Sequence, residues 1–167
     1  SVRIPASMTG NVGLKTSYGR WPINGIFPLS PTLDTAGTLT RDVADAVTAF
    51  AAIDPHQRSY GPRLSREVSQ CSASDFCIGT GEAALWSDCD EGIAETVQAA
   101  LTELADAGIR IIETPLPEAT AAIELLKVGS VVSAEIDELL SSTLVPWRET
   151  LDPVVSSRIR DGGSISA

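Results

Sequence analysis

The 167-residue sequence predicts an α/β fold, on the basis of element order, helical spacing and composition. Residues 76–79 and 109–113 are short apolar runs, and an amphipathic stretch lies between them. Strand, helix and strand in this order form a βαβ crossover, which places the two strands parallel. Apolar residues also recur at helical spacing in 40–52 and in the last third of the chain. They make up 43% of all residues, which is enough to fill a hydrophobic core.

Residues 1–39 are rich in Gly, Pro, Ser and Thr and have little helical patterning, so we expect ordered loops there. The Asn24-Gly25 pair lies between apolar residues and tolerates the positive φ angles of a tight hairpin turn. Pro22 and Pro28 flank this pair and cannot donate ladder hydrogen bonds. Any strands beside the turn should therefore be short or lie at an edge.

A first helix is predicted from Thr40, as its N-cap, to about Ala52, and Pro55 is its stop signal. Residues 55–72 show no apolar period and predict a surface connection. The apolar stripe of the helix consists of Val43, Ala46, Val47 and Phe50.

The crossover helix is predicted over residues 90–107, with Asp88 and Asp90 as candidate N-caps. Gly108 is placed to end it in a left-handed conformation. On its apolar stripe we expect three residues to be buried, namely Val97, Leu101 and Leu104.

Three further helices are predicted in the last third of the chain. The first includes residues 125–128, the second covers 131–140, and Pro153 opens a short last helix that contains the apolar Ile159.

The charge balance excludes two classes of partner. The chain has 22 acidic and 12 basic residues, a formal net charge of −10, and no basic run. Nucleic acids and anionic membranes both attract clustered Lys and Arg, so we expect neither as a direct partner. No apolar stretch reaches the roughly 18–20 residues of a transmembrane helix.

Three cysteines, Cys71, Cys77 and Cys89, lie in one short segment. Their number is odd and too small for a disulfide scaffold, and the only histidine, His56, lacks the spacing of a fourth zinc ligand. We expect reduced thiols in a cytoplasmic protein. A single Cys71–Cys77 or Cys77–Cys89 bridge in an exported enzyme is the alternative.

The common catalytic patterns are missing. A Ser-His-Asp triad would depend on His56, which lies in a polar loop. The sequence has no phosphate-binding loop, and Gly79-x-Gly81 lacks the third glycine of a dinucleotide-binding turn. The carboxylates between residues 88 and 95 are interpreted as the solvated start of a helix.

The first third of the chain carries four motifs in a fixed order. They are Ser-Val-Arg-Ile-Pro at 1–5, Gly-Leu-Lys-Thr-Ser-Tyr-Gly-Arg at 13–20, Leu-Asp-Thr-Ala-Gly-Thr at 33–38 and Arg-Asp-Val-Ala-Asp-Ala at 41–46. Over about fifty residues this closely resembles the amidase signature family. Its members carry Gly-Gly-Ser-(Ile/Val)-Arg-x-Pro, Gly-Leu-Lys-Pro-Thr-x-Gly-Arg, Ser-Leu-Asp-x-x-Gly-Pro and a helix that opens with Arg-x-x-x-Asp-Ala.

The resemblance implies a mixed β-sheet surrounded by helices, of which this chain holds only part. It also implies that Ser1 is the nucleophile. In that family a second serine, in a cis peptide, and a lysine activate the nucleophile. Both precede it, as does the turn whose N–H groups bind the oxyanion, so we expect all three outside this chain. Lys15 follows Ser1 and is interpreted as structural.

These implied groups answer a chemical need. A serine hydroxyl is a weak nucleophile until a neighbouring base removes its proton. A lysine can act as that base only when its pKa is low enough for the neutral amine to be present.

Two positions depart from the family pattern. Thr16 and Thr38 each stand where the family motif has a proline. Both substitutions replace a rigid residue with a more flexible one, without touching a catalytic role.

The resemblance implies an amide hydrolase that acts on a small-molecule carboxylic amide through an acyl-enzyme at Ser1, with no metal or organic cofactor. The alternatives are an amidotransferase subunit that releases ammonia from glutamine or asparagine for a partner, and a non-catalytic binding member of the fold.

The domain prediction is that residues 1–167 form the central to C-terminal part of one domain in a longer polypeptide, with a motif region at 1–52 and a βαβ unit at 76–113. The remaining segments of the same enzyme are then its first partners. A homodimer is left open.

Overall fold

The chain divides into two units, residues 1–69 with 129–167 and residues 70–128. The computed structural model describes residues 2–56, 61–81, 86–87 and 89–160. In chain order the helices and strands are α1 (Arg3–Thr9), β1 (Val12–Lys15), β2 (Gly37–Thr40), α2 (Val43–Ile53), α3 (Gly61–Ser69), β3 (Cys77–Gly79), α4 (Ile93–Asp106), β4 (Arg110–Ile112), α5 (Pro117–Val128), α6 (Val131–Ser142) and α7 (Pro153–Arg160). Short 3-10 turns lie at Ala73–Asp75 and Val145–Thr150.

The segment predicted as loops contains a helix and two strands. β1 pairs antiparallel with β2, with Val12 opposite Thr40 and Lys15 opposite Gly37. α1 contains Pro5, which the helix tolerates because a proline in the first turn removes an N–H that has no intrahelical partner. The expectation of loops alone was therefore wrong, since a seven-residue helix and four-residue strands are too short for periodicity to reveal.

Asn24-Gly25 forms a turn but not a hairpin. Gly25 has a φ of 84°, and Ile26 N donates to Ile23 O at 3.0 Å. Neither side of the turn is a strand, consistent with the two prolines beside it.

α2 begins later than predicted. Asp42 is its N-cap, and the Asp42 side chain accepts a hydrogen bond from Asp45 N. Thr40 is instead the last residue of β2. A carboxylate at the N-cap satisfies a free N–H and also suits the helix dipole, which explains why Asp42 takes the position.

The predicted surface connection at 55–72 contains α3, a helix that was not predicted, and residues 63–69 are exposed apart from the half-buried Leu64. α3 carries two aliphatic residues, Leu64 and Val68, and the Arg63–Glu67 ion pair spans one of its turns. Pairs at this spacing support a polar helix that apolar periodicity cannot detect.

The core of the first unit lies between α6 and α7. Ile136 and Leu140 of α6 pack with Ile159 of α7, and all three are buried. The last two predicted helices are thus confirmed. Around this cluster lie three partly buried leucines, Leu139, Leu144 and Leu151.

The second unit contains the crossover. β3 pairs in parallel with β4, with Ile78 opposite Ile111, and α4 connects them. The parallel pair predicted from the order of elements is confirmed. α5 contains the predicted helical residues 125–128 and starts at Pro117.

The predicted burial of the α4 stripe was wrong. Val97 is 38% exposed and Leu104 is 36% exposed, while Leu101 is partly buried. Two strands of three residues are too small a surface to cover this helix. Its N-cap is Gly92 rather than Asp90, and Asp88 lies outside the described residues.

The end of α4 is as predicted. Gly108 has a φ of 98° and donates to Ala105 O, while Ile109 N donates to Leu104 O. These two bonds form the Schellman arrangement, which requires a left-handed residue after the helix.

Candidate functional site

Three of the four motifs meet at one cavity. The cavity has a volume of about 310 Å³ and lies in the first unit. Val2 and Arg3 belong to the first motif, Lys15 to the second, and Leu33 and Asp34 to the third. Thr35 also belongs to the third motif, and the remaining lining residues are Leu29, Ser30 and Val132.

Two glycines, one from the second motif and one from the third, allow β1 and β2 to approach Val2 and Ala6. A Cβ on Gly13 would lie 2.7 Å from Ala6 Cβ and 2.8 Å from Val2 O. A Cβ on Gly37 would lie 2.8 Å from Val2 Cγ2 and would also overlap Leu14 O. Contacts this short are not tolerated, so the antiparallel pair of β1 and β2 can pack against Val2 only with glycine at both positions.

Ser1, the predicted nucleophile, lies outside the described residues. Its neighbour in the sequence, Val2, lines the cavity. Lys15 also lines it, and the Lys15 Nζ donates to Thr16 O at 2.8 Å.

The loop at 29–35 forms most of the cavity wall and is held by its own hydrogen bonds. Leu29 N donates to Asp34 Oδ2 at 2.9 Å. Ser30 O accepts from Leu33 N at 2.9 Å and from Asp34 N at 2.7 Å. These bonds fix the internal shape of the loop.

Glu135 of α6 binds this loop from outside. Its carboxylate accepts hydrogen bonds from Ser30 Oγ, from Thr32 Oγ1 at 2.5 Å and from Thr32 N at 3.3 Å. The bonds from Ser30 and Thr32 hold the pKa of Glu135 below its ordinary value, since they stabilise the ionised form. Glu135 could not be identified from the sequence, because no local pattern links residues more than a hundred positions apart.

A buried carboxylate, Asp54, holds the second motif in place. Asp54 has no exposed surface and accepts hydrogen bonds from Arg20 Nε at 2.6 Å and Trp21 Nε1 at 3.1 Å. These bonds, the Arg20 bond above all, hold the pKa of Asp54 below its ordinary value despite its burial. The Phe50 ring lies 5.2 Å from the Arg20 guanidinium carbon.

The other candidates do not join the cavity. His56 is exposed, and its backbone N–H donates to Asp54 Oδ1 at 2.9 Å. Cys71, Cys77 and Cys89 are exposed, and no disulfide joins them. Among the described residues no cluster of ligands could hold a metal ion, and no helix is long and apolar enough to span a membrane.

The two departures from the motif pattern lie on or beside the paired strands β1 and β2. Thr16 is buried, and its hydroxyl donates to Ala36 O at 3.1 Å, a bond that proline could not make. The buried Thr38 hydroxyl has no hydrogen-bond partner within the described part of the chain.

Comparison with known proteins returns one family of enzymes. A family model described as Amidase matches residues 1–161. A 2-amino-5-chloromuconic acid deaminase from Comamonas testosteroni is 41% identical over 167 residues, which is 100% of this chain and 35% of that protein. A mandelamide hydrolase from Pseudomonas putida is 33% identical over 118 residues, or 71% of this chain and 21% of that protein.

A subunit of the glutamyl-tRNA(Gln) amidotransferase from Desulfosudis oleivorans is 32% identical over 130 residues, or 74% of this chain and 27% of that protein. A crystal structure of an amidase matches the fold with a TM-score of 0.72 at 24% identity, over 99% of this chain and 35% of that one. The chain thus spans 21% to 35% of the length of these relatives.

Proposed function

Because the chain belongs to the amidase signature family, we propose that it forms part of an enzyme that hydrolyses a carboxylic amide, with Ser1 as the nucleophile. One observation carries this proposal. The residue that follows Ser1 lines a cavity together with residues of two other family motifs. A cavity of about 310 Å³ lies at the lower end of the range for small-molecule sites.

The reaction proceeds in two steps. Ser1 Oγ attacks the amide carbon, its proton passes to the leaving nitrogen, and the C–N bond breaks to give an ester and ammonia or an amine. Water then attacks the ester and releases the acid and Ser1. The lysine and second serine that move these protons lie, by family analogy, outside this chain, and no metal or organic cofactor takes part.

The cavity residues of this chain have supporting roles. Val2, Leu29, Leu33 and Val132 offer apolar surface to the acyl group of the substrate. Lys15 donates to Thr16 O, so it is assigned to holding the end of β1 rather than to proton transfer.

The names of the relatives support ammonia as the product. The relative at 41% identity is named a deaminase, and the relative at 33% identity is named an amide hydrolase.

The three exposed thiols support a cytoplasmic enzyme, since reducing conditions prevent such thiols from forming disulfides.

The second candidate is an amidotransferase subunit, favoured by the relative of that name at 32% identity. It predicts ammonia release from glutamine or asparagine that depends on a partner subunit. The deaminase matches the whole of this chain at higher identity, so free-standing hydrolysis is the primary proposal.

The test is active-site labelling of the full-length protein. A serine-directed fluorophosphonate should label Ser1, as mapped by peptide mass spectrometry, and should stop ammonia release from small primary amides. A label on another residue, or unchanged turnover after labelling of Ser1, would refute the proposal. Turnover of glutamine only, and only with a partner, would establish the second candidate.

A further inference from the structure

Glu135 connects the cavity loop to a helix far away in the sequence. Both of its carboxylate oxygens are used: Oε2 accepts from Ser30 Oγ and Thr32 N, and Oε1 accepts from Thr32 Oγ1. Ser30 is only 1% exposed, so water cannot readily replace Glu135 as the partner of its hydroxyl. The loop therefore depends on this carboxylate for its contact with α6.

α6 is a firm support for such a contact. Ile136, the next residue, is buried in the core with Leu140 and Ile159. Asp137 pairs with Arg148 of the following 3-10 turn. A displacement of Glu135 would have to disturb this core.

The same face of α6 also reaches the cavity. Val132 lies one turn before Glu135, and residues three apart in a helix share a face. Val132 lines the cavity, and Glu135 binds the loop at 29–35 that lines the same cavity. α6 thus contributes to the wall of the cavity and also fixes the distance between the loop and this part of the wall.

We propose that Glu135 is a positioning residue, which holds the loop at 29–35 against α6 so that the cavity fits the acyl part of the substrate. The internal bonds of the loop define its shape, but they do not define its place on the protein. Outside the loop, the exposed Tyr18 adds one hydrogen bond to Pro31 O at 3.1 Å. The ionised carboxylate of Glu135 accepts three hydrogen bonds from the loop, which makes Glu135 the principal anchor of the loop. This inference rests on the proposed function for its effect on turnover.

The test compares Glu135→Gln, Glu135→Asp and the matched control Glu138→Gln in the full-length protein. Glu138 lies on the same helix, one turn further on, and is exposed. Hydrogen–deuterium exchange of the 29–35 segment is measured beside amide turnover, with active sites counted by fluorophosphonate. Glu135→Gln should speed exchange of the segment and raise KM by about tenfold, with kcat per active site changed less than about threefold. Glu135→Asp keeps the charge, so its exchange rate and its KM should lie between those of Glu135→Gln and wild type.

The outcomes separate positioning from general stability. A merely structural role would lower the number of active sites and leave KM and loop exchange unchanged, and that result would overturn the inference. So would an equal effect of Glu138→Gln. If the wild-type protein hydrolyses no amide, the proposed function fails, while loop exchange alone still decides whether Glu135 holds the loop.

Discussion

Arg20 and Asp54 form an ion pair that links the second motif to the end of α2. Arg20 Nε lies 2.6 Å from Asp54 Oδ2, and the Asp54 side chain has no exposed surface. Trp21 donates to the same oxygen, so two consecutive residues of the chain are held by one carboxylate. This contact anchors the segment that follows Lys15. Lys15 is one of the residues that line the cavity.

Asp54→Asn should lower the melting temperature of the protein by several degrees. The amide keeps the shape of the side chain but removes the charge, which leaves the partly buried Arg20 without its counter-ion. Asp106→Asn, at an exposed site on α4, is the matched control and should have little effect. Calorimetry of both variants measures the difference. Equal melting temperatures for the two variants would show that the pair contributes nothing.

The Asp54 contribution should depend on pH in a defined direction. The pKa of Asp54 in the folded protein is lowered, so its stabilising effect is complete above the unfolded value of about 3.9. It is lost as the pH falls through the folded value. The melting-temperature gap between wild type and Asp54→Asn should therefore stay constant from pH 7 to about 5 and close below about 4. Melts over this range test the sign, and a gap that widens on acidification would contradict it.

Local sequence signals predicted the structure correctly where one residue type determines the backbone conformation. Gly108 was identified from sequence because a left-handed residue after a helix strongly favours glycine. The N-cap of α2 lies two residues after its predicted position, because Thr40 and Asp42 are both good N-cap residues. Only the pairing of Thr40 with Val12 places Thr40 in a strand. Such competition between neighbours is settled by tertiary contacts.

The motifs predicted part of the site, and long-range contacts supplied the rest. Three motifs contribute residues to the cavity, and all four motifs could be recognised from the sequence in family order. Glu135 could not, since its partners Ser30 and Thr32 lie about a hundred residues away and a glutamate on a helix usually faces water. The same reason explains why Asp54 was not recognised as a buried anchor.

Leu140→Ala should destabilise the protein by about 2–5 kcal/mol, because it leaves a cavity in a closed core. Leu140 is 1% exposed and packs with Ile136 and Ile159. Leu140→Met nearly conserves the volume and should cost less than about 1.5 kcal/mol. Chemical denaturation gives both values. If the two variants are equally stable, the packing of this cluster does not stabilise the first unit.

Substitutions at Val132 should change which amides the enzyme prefers. Val132 lines the cavity together with residues of the 29–35 loop, so its size limits the acyl group that fits. Val132→Ala should shift the ratio of kcat/KM values towards larger acyl groups by roughly tenfold, and Val132→Phe should shift it the other way. The measurement is ammonia release from a series of amides of increasing size. The neighbouring Val131→Ala, at an exposed position, should leave the series unchanged.

Ser1→Ala should abolish amide hydrolysis in the full-length protein, while His56→Ala should leave the rate nearly unchanged. Without the Ser1 oxygen no acyl-enzyme can form, and loss of a covalent nucleophile in a comparable hydrolase lowers kcat by about 10⁶-fold. Binding cannot offset this loss, because the remaining groups stabilise a transition state that has no attacking atom. His56 is exposed and reaches Asp54 only through its backbone N–H, so no imidazole is available to the cavity from the described part of the chain. A serine–histidine mechanism predicts a severe loss in His56→Ala, and that result, or full activity in Ser1→Ala, would remove Ser1 from the proposed role.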